Sequence, residues 1–401
     1  MNKIITKPSI FFSLVSFFKA ETILCIAFLL AVLSAFMIPP SAAYADYLDW
    51  RTLALLFCLM LVVAGLQHTG TFHFLGNTLL SGVKSSRGLA LLLVFLCFFA
   101  SMLITNDVAL ITFVPFAILL LSMANQTRLL IPVVALQTVA ANLGSMFTPI
   151  GNPQNLYLYS RYSLDPGDFL ITMLPLTLLS GLLLLIAVLL LPCTPLAMEQ
   201  APDAKTAPQS ADSAPSGSND TKQLFSGSLS LPHLFFYLAL FGVCICCVLH
   251  LITWPVMICI IVLSILAVNR SLFGKADYKL LLTFVCFFVF IGNLQQIPAV
   301  SSILNTFIQD RELLLGILFS QCISNVPAAF LLSGFTDQVR PLLYGVNIGG
   351  LGTLIASLAS VISYRFYTGV ADAQKGRYML VFTIYNVLFL LILGGAALLI
   401  L

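Results

Sequence analysis

Residues 142–155 read Asn142-Leu-Gly-Ser-Met-Phe-Thr-Pro-Ile-Gly-Asn-Pro-Gln-Asn155, in the middle of an apolar run, 129–162, that is too long for one membrane crossing. A bilayer core is about 30 Å thick, and about 20 helical residues cross it at 1.5 Å each. Gly144, Pro149, Gly151 and Pro153 break a helix here, and Asn142, Thr148, Asn152 and Asn155 place polar groups at the break. Backbone stripped of its helical hydrogen bonds is tolerated at membrane depth only where protein buries it or it lines a watery cavity. The stretch therefore predicts an unwound transmembrane helix around an internal polar site.

The composition agrees. Of 401 residues 60% are hydrophobic and only 8% charged, with a mean hydropathy of +1.05, whereas a soluble domain carries about 25% charge. The chain is expected to be an all-α polytopic membrane protein. A net charge of +3 gives no footing for nucleic acid. The ten cysteines lie in or at the end of apolar runs without a Cys-x-x-Cys pair, and read as buried small hydrophobes.

Single spans are predicted at 22–38, 53–67, 169–191, 234–249, 252–268, 280–297 and 378–401. Lys3, Lys7 and Lys19 precede the first, and Ala43-Tyr44-Ala45 after it resembles a signal-peptidase site. A cleaved signal has an apolar core of about 7–15 residues; this run is longer and is expected to be retained. Residues 199–223 have alanine as their only apolar residue, which predicts a disordered cytoplasmic linker. It divides the chain into a first half, 1–196, the linker region 197–231, and a second half, 232–401.

Two further stretches resist a single span. Residues 89–121 number 33, about 50 Å as one helix, with Thr105-Asn106-Asp107 at the middle; two arms folded back as a re-entrant hairpin fit better. Residues 341–366 contain Gly345, Gly349, Gly350 and Gly352 around Asn347 and Thr353, a second break. The halves also match. Cys58 to Gln67 aligns with Cys286 to Gln295 at an offset of 228, and Asn106 with Asn325 of Ser324-Asn-Val-Pro327 at 219. Asn142, Gly144, Thr148 and Ile150 align with Asn347, Gly349, Thr353 and Ile355 at 205. Three matches in one order indicate an internal duplication, with a second hairpin tip near 324–327.

With a cytoplasmic N-terminus, fourteen Lys and Arg fall inside and four outside, as the positive-inside rule requires, and the C-terminus is periplasmic. The matched spans 53–67 and 280–297 then run in opposite directions. About nine spans plus two hairpins, in two inverted repeats with interrupted helices, describe a secondary transporter.

The runs Thr105-Asn-Asp-Val-Ala-Leu110, Thr148-Pro-Ile-Gly-Asn-Pro-Gln-Asn155 and Ser324-Asn-Val-Pro327 resemble the ion transporter superfamily. That group holds divalent anion:sodium symporters, citrate transporters, arsenite permeases and some sodium/proton antiporters. The closest likeness is to uncharacterised bacterial inner-membrane anion permeases. The resemblance implies one hairpin and one unwound helix per half, elevator-type alternating access, a homodimer, and no cofactor beyond a coupling Na⁺ or H⁺. The chain departs from the dicarboxylate symporters, whose tips typically both read Ser-Asn-Thr, and its second break has Ala356-Ser-Leu-Ala-Ser360 where the first has Gly151-Asn-Pro-Gln-Asn155.

Helix N-termini present free N–H groups to anions, while carbonyls and Asn, Ser or Thr oxygens coordinate Na⁺. The candidate substrate- and ion-binding residues are Thr105, Asn106, Asp107, Asn142, Gly144, Thr148, Gly151, Asn152, Asn155, Ser324, Asn325, Val326, Asn347, Gly349 and Thr353. Asn106 and Asp107 could hold Na⁺. Helix capping by Asn106 and Asn325, and simple satisfaction of freed backbone by the other asparagines, are the structural alternatives. Gly144 and Gly151 serve backbone geometry on either reading. His68, His73, His233 and His250 sit near span ends, and Gln67 and Gln295 suit helix packing.

The expected function is secondary active transport of a small anion, a carboxylate or inorganic oxyanion, coupled to Na⁺ or H⁺ in a bacterial inner membrane. A cation/proton antiporter or arsenite-type exporter is the rival; an enzyme lacks a catalytic cluster, and a passive channel ill suits inverted repeats. Fourteen of the fifteen acidic residues fall in loops, the linker or span ends. Asp107 alone lies midway along an otherwise uncharged stretch, where an ionised carboxylate is a functional candidate by default; its structural alternative is to cap the second hairpin arm.

Overall fold

The structure, a computed structural model, describes residues 22–69, 83, 85–195, 231–370 and 372–401. The linker 199–223, Lys3, Lys7, Lys19 and His73 lie outside the described residues. Among the described residues every named element is a helix, and eight helices are long and apolar enough to cross a membrane. In chain order the α-helices are α1 Thr22–Met37, the short α2 Tyr44–Tyr47, α3 Trp50–His68, α4 Ser86–Ile104, α5 Asn106–Met123, α6 Leu130–Ser145, α7 Pro153–Arg161 and α8 Pro166–Leu189. After the linker come α9 Leu231–Val248, α10 Trp254–Val268, α11 Tyr278–Gln295, α12 Pro298–Ile308, α13 Glu312–Ile323, α14 Asn325–Ser333, α15 Val339–Ile348, α16 Leu358–Thr368 and α17 Lys375–Ile400.

Local chemistry sets where these helices begin. Asp49, Ser85, Asn152, Asp165 and Asp277 each accept an N–H bond from the following first turn, supplying partners that helical geometry leaves missing. Pro153, Pro166, Pro255 and Pro298 open their helices, where the missing N–H costs nothing. Mid-helix, side-chain hydroxyls such as Thr112, Thr177 and Ser180 bond carbonyls four residues back.

α6 runs through the centre. All its residues but Pro132 are buried, against α4, α5, α8, α16 and α17. α8, α9 and α17 keep many exposed leucines and isoleucines, the face that a bilayer covers. The two parts of the chain interlock: α5 packs on α16, α7 on α14, α1 on α11, and α3 on α9 and α10.

Helices end at Ile104 and Ile323 and restart at Asn106 and Asn325, and the apolar runs 129–162 and 341–366 are interrupted over 146–152 and 349–357. The first hairpin is longer than its apolar core suggests. Its arms have 19 and 18 residues because the Ser85 cap starts α4 ahead of Leu89, and each arm is long enough to cross a membrane. The second has arms of 12 and 9 residues, about 18 and 14 Å. Helix α12 was not expected; Pro298 restarts a short amphipathic helix directly after α11. All ten cysteines are free, but Cys193, Cys259 and Cys322 are exposed rather than buried. Cys259 and Cys322 lie on outward faces of apolar helices, where a thiol meets lipid as readily as protein.

Candidate functional site

The two hairpin tips share one backbone conformation. Thr105 has φ 68° and ψ 149°, and Ser324 has φ 76° and ψ 153°, a region other residues leave to glycine at a cost of order 1–3 kcal/mol. The strain lets a single residue reverse the chain between helices. In each case the next amide is tied to a break: Asn106 N–H donates to Gly151 O (3.1 Å) and Asn325 N–H to Ala356 O (2.9 Å).

The hairpins are docked on the breaks in matching fashion. Thr148 Oγ1 donates to Met102 O, and Thr353 Oγ1 to Gln321 O, 3.2 Å away. Gly144 lies so close to α4 that a Cβ would sit 2.0 Å from Phe98 O and 2.5 Å from Ser101 Oγ; at Gly349 it would sit 2.5 Å from Ser320 Oγ. Gly151 has the same reason to be glycine, since its Cβ would meet Ser145 O at 2.1 Å.

The breaks meet each other across the middle. Asn142 Oδ1 accepts from Asn106 Nδ2 (3.1 Å) and from Ser357 Oγ (2.9 Å), while its Nδ2 donates to Gly350 O (3.4 Å). Asn152 Nδ2 donates to Asn347 Oδ1 (3.0 Å), and Asn347 Nδ2 to Asn155 Oδ1 (2.7 Å). Asn155 Nδ2 also donates to Met146 O at 3.0 Å and to Thr148 O at 3.2 Å. Asn106, Asn142, Asn152, Asn155, Asn325 and Asn347 are all buried. The N-termini of α5, α7, α14 and α16 all begin at this cluster, each carrying about half a positive charge. Among the described residues no Lys or Arg takes part in the bonds given for it.

The halves differ in detail. Asn106 pairs with Asn142, but Asn325 has no such partner, because Asn347 is held by Asn152 and Asn155; Ser324 Oγ reaches Asn325 Oδ1 at 3.5 Å. At the position of Asp107 in the first hairpin the second has Val326, packed on the apolar core. Thr353 is exposed whereas Thr148 is half-buried, so the second break is the more open.

Asp107 opens the first turn of α5, where the helix dipole favours a carboxylate. Its Oδ1 is buried and has no hydrogen-bond partner. The capping bond its structural alternative requires is absent; Asn106 Oδ1 takes the Asp107 N–H instead. Gln67 Nε2 donates to Thr112 Oγ1 and Gln295 Nε2 to Gly334 O, each tying a span to the second arm of a hairpin or its end. His68 and His250 lie at helix ends.

Several site residues escaped the sequence reading. Ser357 and Gly350 complete the Asn142 shell, and the 205-residue offset could have found Ser357 opposite Asn152. Gln321 Nε2 donates to Gly349 O and Leu351 O (2.9 Å each), and its Oε1 accepts from Thr353 N (2.9 Å); no periodicity announces that role. Glu312, grouped with span-end acids, is only 2% exposed and accepts from Thr336 Oγ1 at 2.7 Å.

Residues 12–341 match the citrate transporter family. The chain belongs to that family. An uncharacterised transporter of Methanocaldococcus jannaschii, MJ0456, is 34% identical over 354 residues, covering 87% of this chain and 89% of its own. The Escherichia coli inner membrane protein YbiR is 32% identical over 324 residues, 79% and 80% of the two chains. A rice silicon efflux transporter, LSI3, is 34% identical over 140 residues, 35% of this chain and 28% of its own. The protein is a multi-pass membrane transporter of the citrate transporter family, and its substrate is a small molecule.

Proposed function

We propose that this protein is a secondary active carrier of a small anion, a carboxylate or inorganic oxyanion, coupled to Na⁺ or H⁺ through elevator-type movement. One observation carries the reading: two strained tips and two helix breaks converge on a buried asparagine cluster at which four helix N-termini begin. Without a Lys or Arg in the cluster, the anion is held by amide dipoles and hydroxyls, and a co-bound cation offsets its charge. Asp107, with an unpartnered buried oxygen at one tip, supplies that cation's counter-charge. The matching contacts at offsets of 219 and 205 support two inverted repeats, here placed with both termini as the charge distribution requires, N-terminus cytoplasmic and C-terminus periplasmic, in a homodimer.

The likeness to a silicon efflux transporter favours a second reading, export of a weakly acidic or uncharged oxyacid, with which a cationless cluster is equally compatible. Thermal-shift screening of carboxylates, phosphate, arsenite and silicic acid separates the two. A ligand that binds only the folded state raises its unfolding temperature. Stabilisation by carboxylates or oxyanions, strengthened by Na⁺ or low pH, supports the symporter; stabilisation by the neutral acids alone sinks it.

A further inference from the structure

One face of α16 is lined with hydroxyls. Ser357, Ser360, Ser363 and Tyr367 recur at steps of three and four residues, which places them on a single helix face, and all four are buried. At the inner end Ser357 Oγ donates to Asn142 of the central cluster. Farther along, Thr138 Oγ1 of α6 donates to Ser363 Oγ (2.7 Å), and Ser363 Oγ donates to Ser360 O (3.1 Å). The Tyr378 hydroxyl of α17 lies beside those of Ser363 and Thr138, while its ring stacks on Tyr367 at 4.6 Å. Tyr367 OH accepts from Gln374 N at 3.0 Å, next to Lys375 and Arg377. From Ser357 to Tyr367 is about 15 Å of helix, half of a core about 30 Å thick. The face thus joins the central cluster to one end of the molecule.

Ser360 Oγ and Tyr378 OH are buried without a hydrogen bond that meets ordinary geometry, and both residues are 0% exposed. Buried polar groups are nearly always satisfied by protein or by ordered water, and a buried water makes two to four such bonds. The lining is only partly repeated in the first half, where Asn152, Asn155 and Tyr162 stand at the places of Ser357, Ser360 and Tyr367. At the 205-residue offset the first half has Leu158 for Ser363, and the second has Leu343 for Thr138. Both leucines are buried, so packing at the Ser363 and Thr138 positions does not demand hydroxyls.

We propose that the seam between α6, α16 and α17 holds a file of buried water which, with its hydroxyls, passes protons between the central cluster and the end bearing Lys375 and Arg377. The inference rests on the carrier reading for the meaning of the cluster, but its test does not. The protein in lipid nanodiscs is exposed to millisecond X-ray radiolysis, and hydroxyl-radical labelling of each tyrosine is read by mass spectrometry. Tyr378 should label rapidly despite its burial. Tyr344, equally buried but with its hydroxyl donated to Thr172 O, is the dry control. Thr138→Val and Ser360→Ala should lower Tyr378 labelling several-fold with thermal unfolding retained; should either variant misfold, the comparison of Tyr378 with Tyr344 in the wild type still decides. In pyranine-loaded proteoliposomes under a valinomycin–K⁺ potential, Tyr378→Phe should cut proton entry several-fold relative to wild type. Tyr378 as silent as Tyr344, or equal proton entry in the two proteins, overturns the proposal. Neither arm needs a transported substrate, so a dry seam would leave the carrier reading standing, and a failed substrate screen would leave the seam untouched.

Discussion

Asp107 concentrates the account at the residue scale. A carboxylate at membrane depth costs several kcal/mol unless paired or hydrated, and here one oxygen is buried without a partner. Asp107→Asn keeps the shape of the tip and removes the charge. It should abolish ion-driven uptake in proteoliposomes while membrane insertion, thermal stability and exchange of bound substrate persist. Wild-type ion dependence in that variant would assign coupling to carbonyls and amides alone. The glycines make the converse prediction, of stability rather than coupling. Gly151→Ala forces a Cβ to within 2.1 Å of Ser145 O, so the break must shift, at about 1–3 kcal/mol or more. Its unfolding temperature should fall well below that of Gly242→Ala, where nothing lies within 4 Å of the added atom.

At the scale of elements, contacts between helices decide what local sequence leaves open. Arg51 of α3 donates to Cys247 O (3.1 Å) and Val248 O (3.4 Å) at the end of α9, and lies 3.2 Å from His250 Nε2. A cation at a helix C-terminus satisfies leftover carbonyls and complements the dipole. Partial burial, then the neighbouring Arg51 charge, push the His250 imidazole below its ordinary value. A lowered value means the folded state takes up this proton less readily than the unfolded chain. The contact is therefore fully stabilising above pH about 6.5 and weakens as pH falls below it. Thermal unfolding across pH 5 to 8 should show that loss in the wild type and a smaller one in His250→Gln.

The tips and breaks were legible because glycine, proline and asparagine cannot sit unnoticed in a run of leucines. Thr105-Asn106-Asp107 and Asn142 to Asn155 announce an interruption whatever surrounds them. Which asparagine pairs with which was not legible. Asn347 binds Asn152 and Asn155 across the molecule instead of the nearby Asn325, because pairing follows how the two breaks face each other. Glu312 illustrates the same limit: the sequence sets it among the acids of loops, linker and span ends, and the structure buries it with Thr336 donating to its carboxylate.

For the whole molecule, the account requires two tips that approach the midplane from opposite sides. In single-cysteine variants at Asn125 and Asp310, exposed in the loops at the bases of the two hairpins and made in a cysteine-free background, membrane-impermeant thiol reagents added from one side should label one position, and from the other side the second. Labelling of both from one side would remove the inverted arrangement. Deleting residues 202–221 should leave transport largely intact, since a linker between halves supplies reach and not chemistry; loss of uptake in a deletant that still inserts would make it a working part.

The central claim is that a buried asparagine cluster couples solute movement to an ion gradient. Its most direct test is uptake by purified protein in proteoliposomes, using the labelled compound that gives the largest thermal shift, with Na⁺ and pH gradients imposed separately. The account predicts saturable accumulation above the external concentration when one of the two gradients points inward, and its collapse when that gradient is abolished. Flux that only equilibrates the compound, unchanged by either gradient, would contradict it.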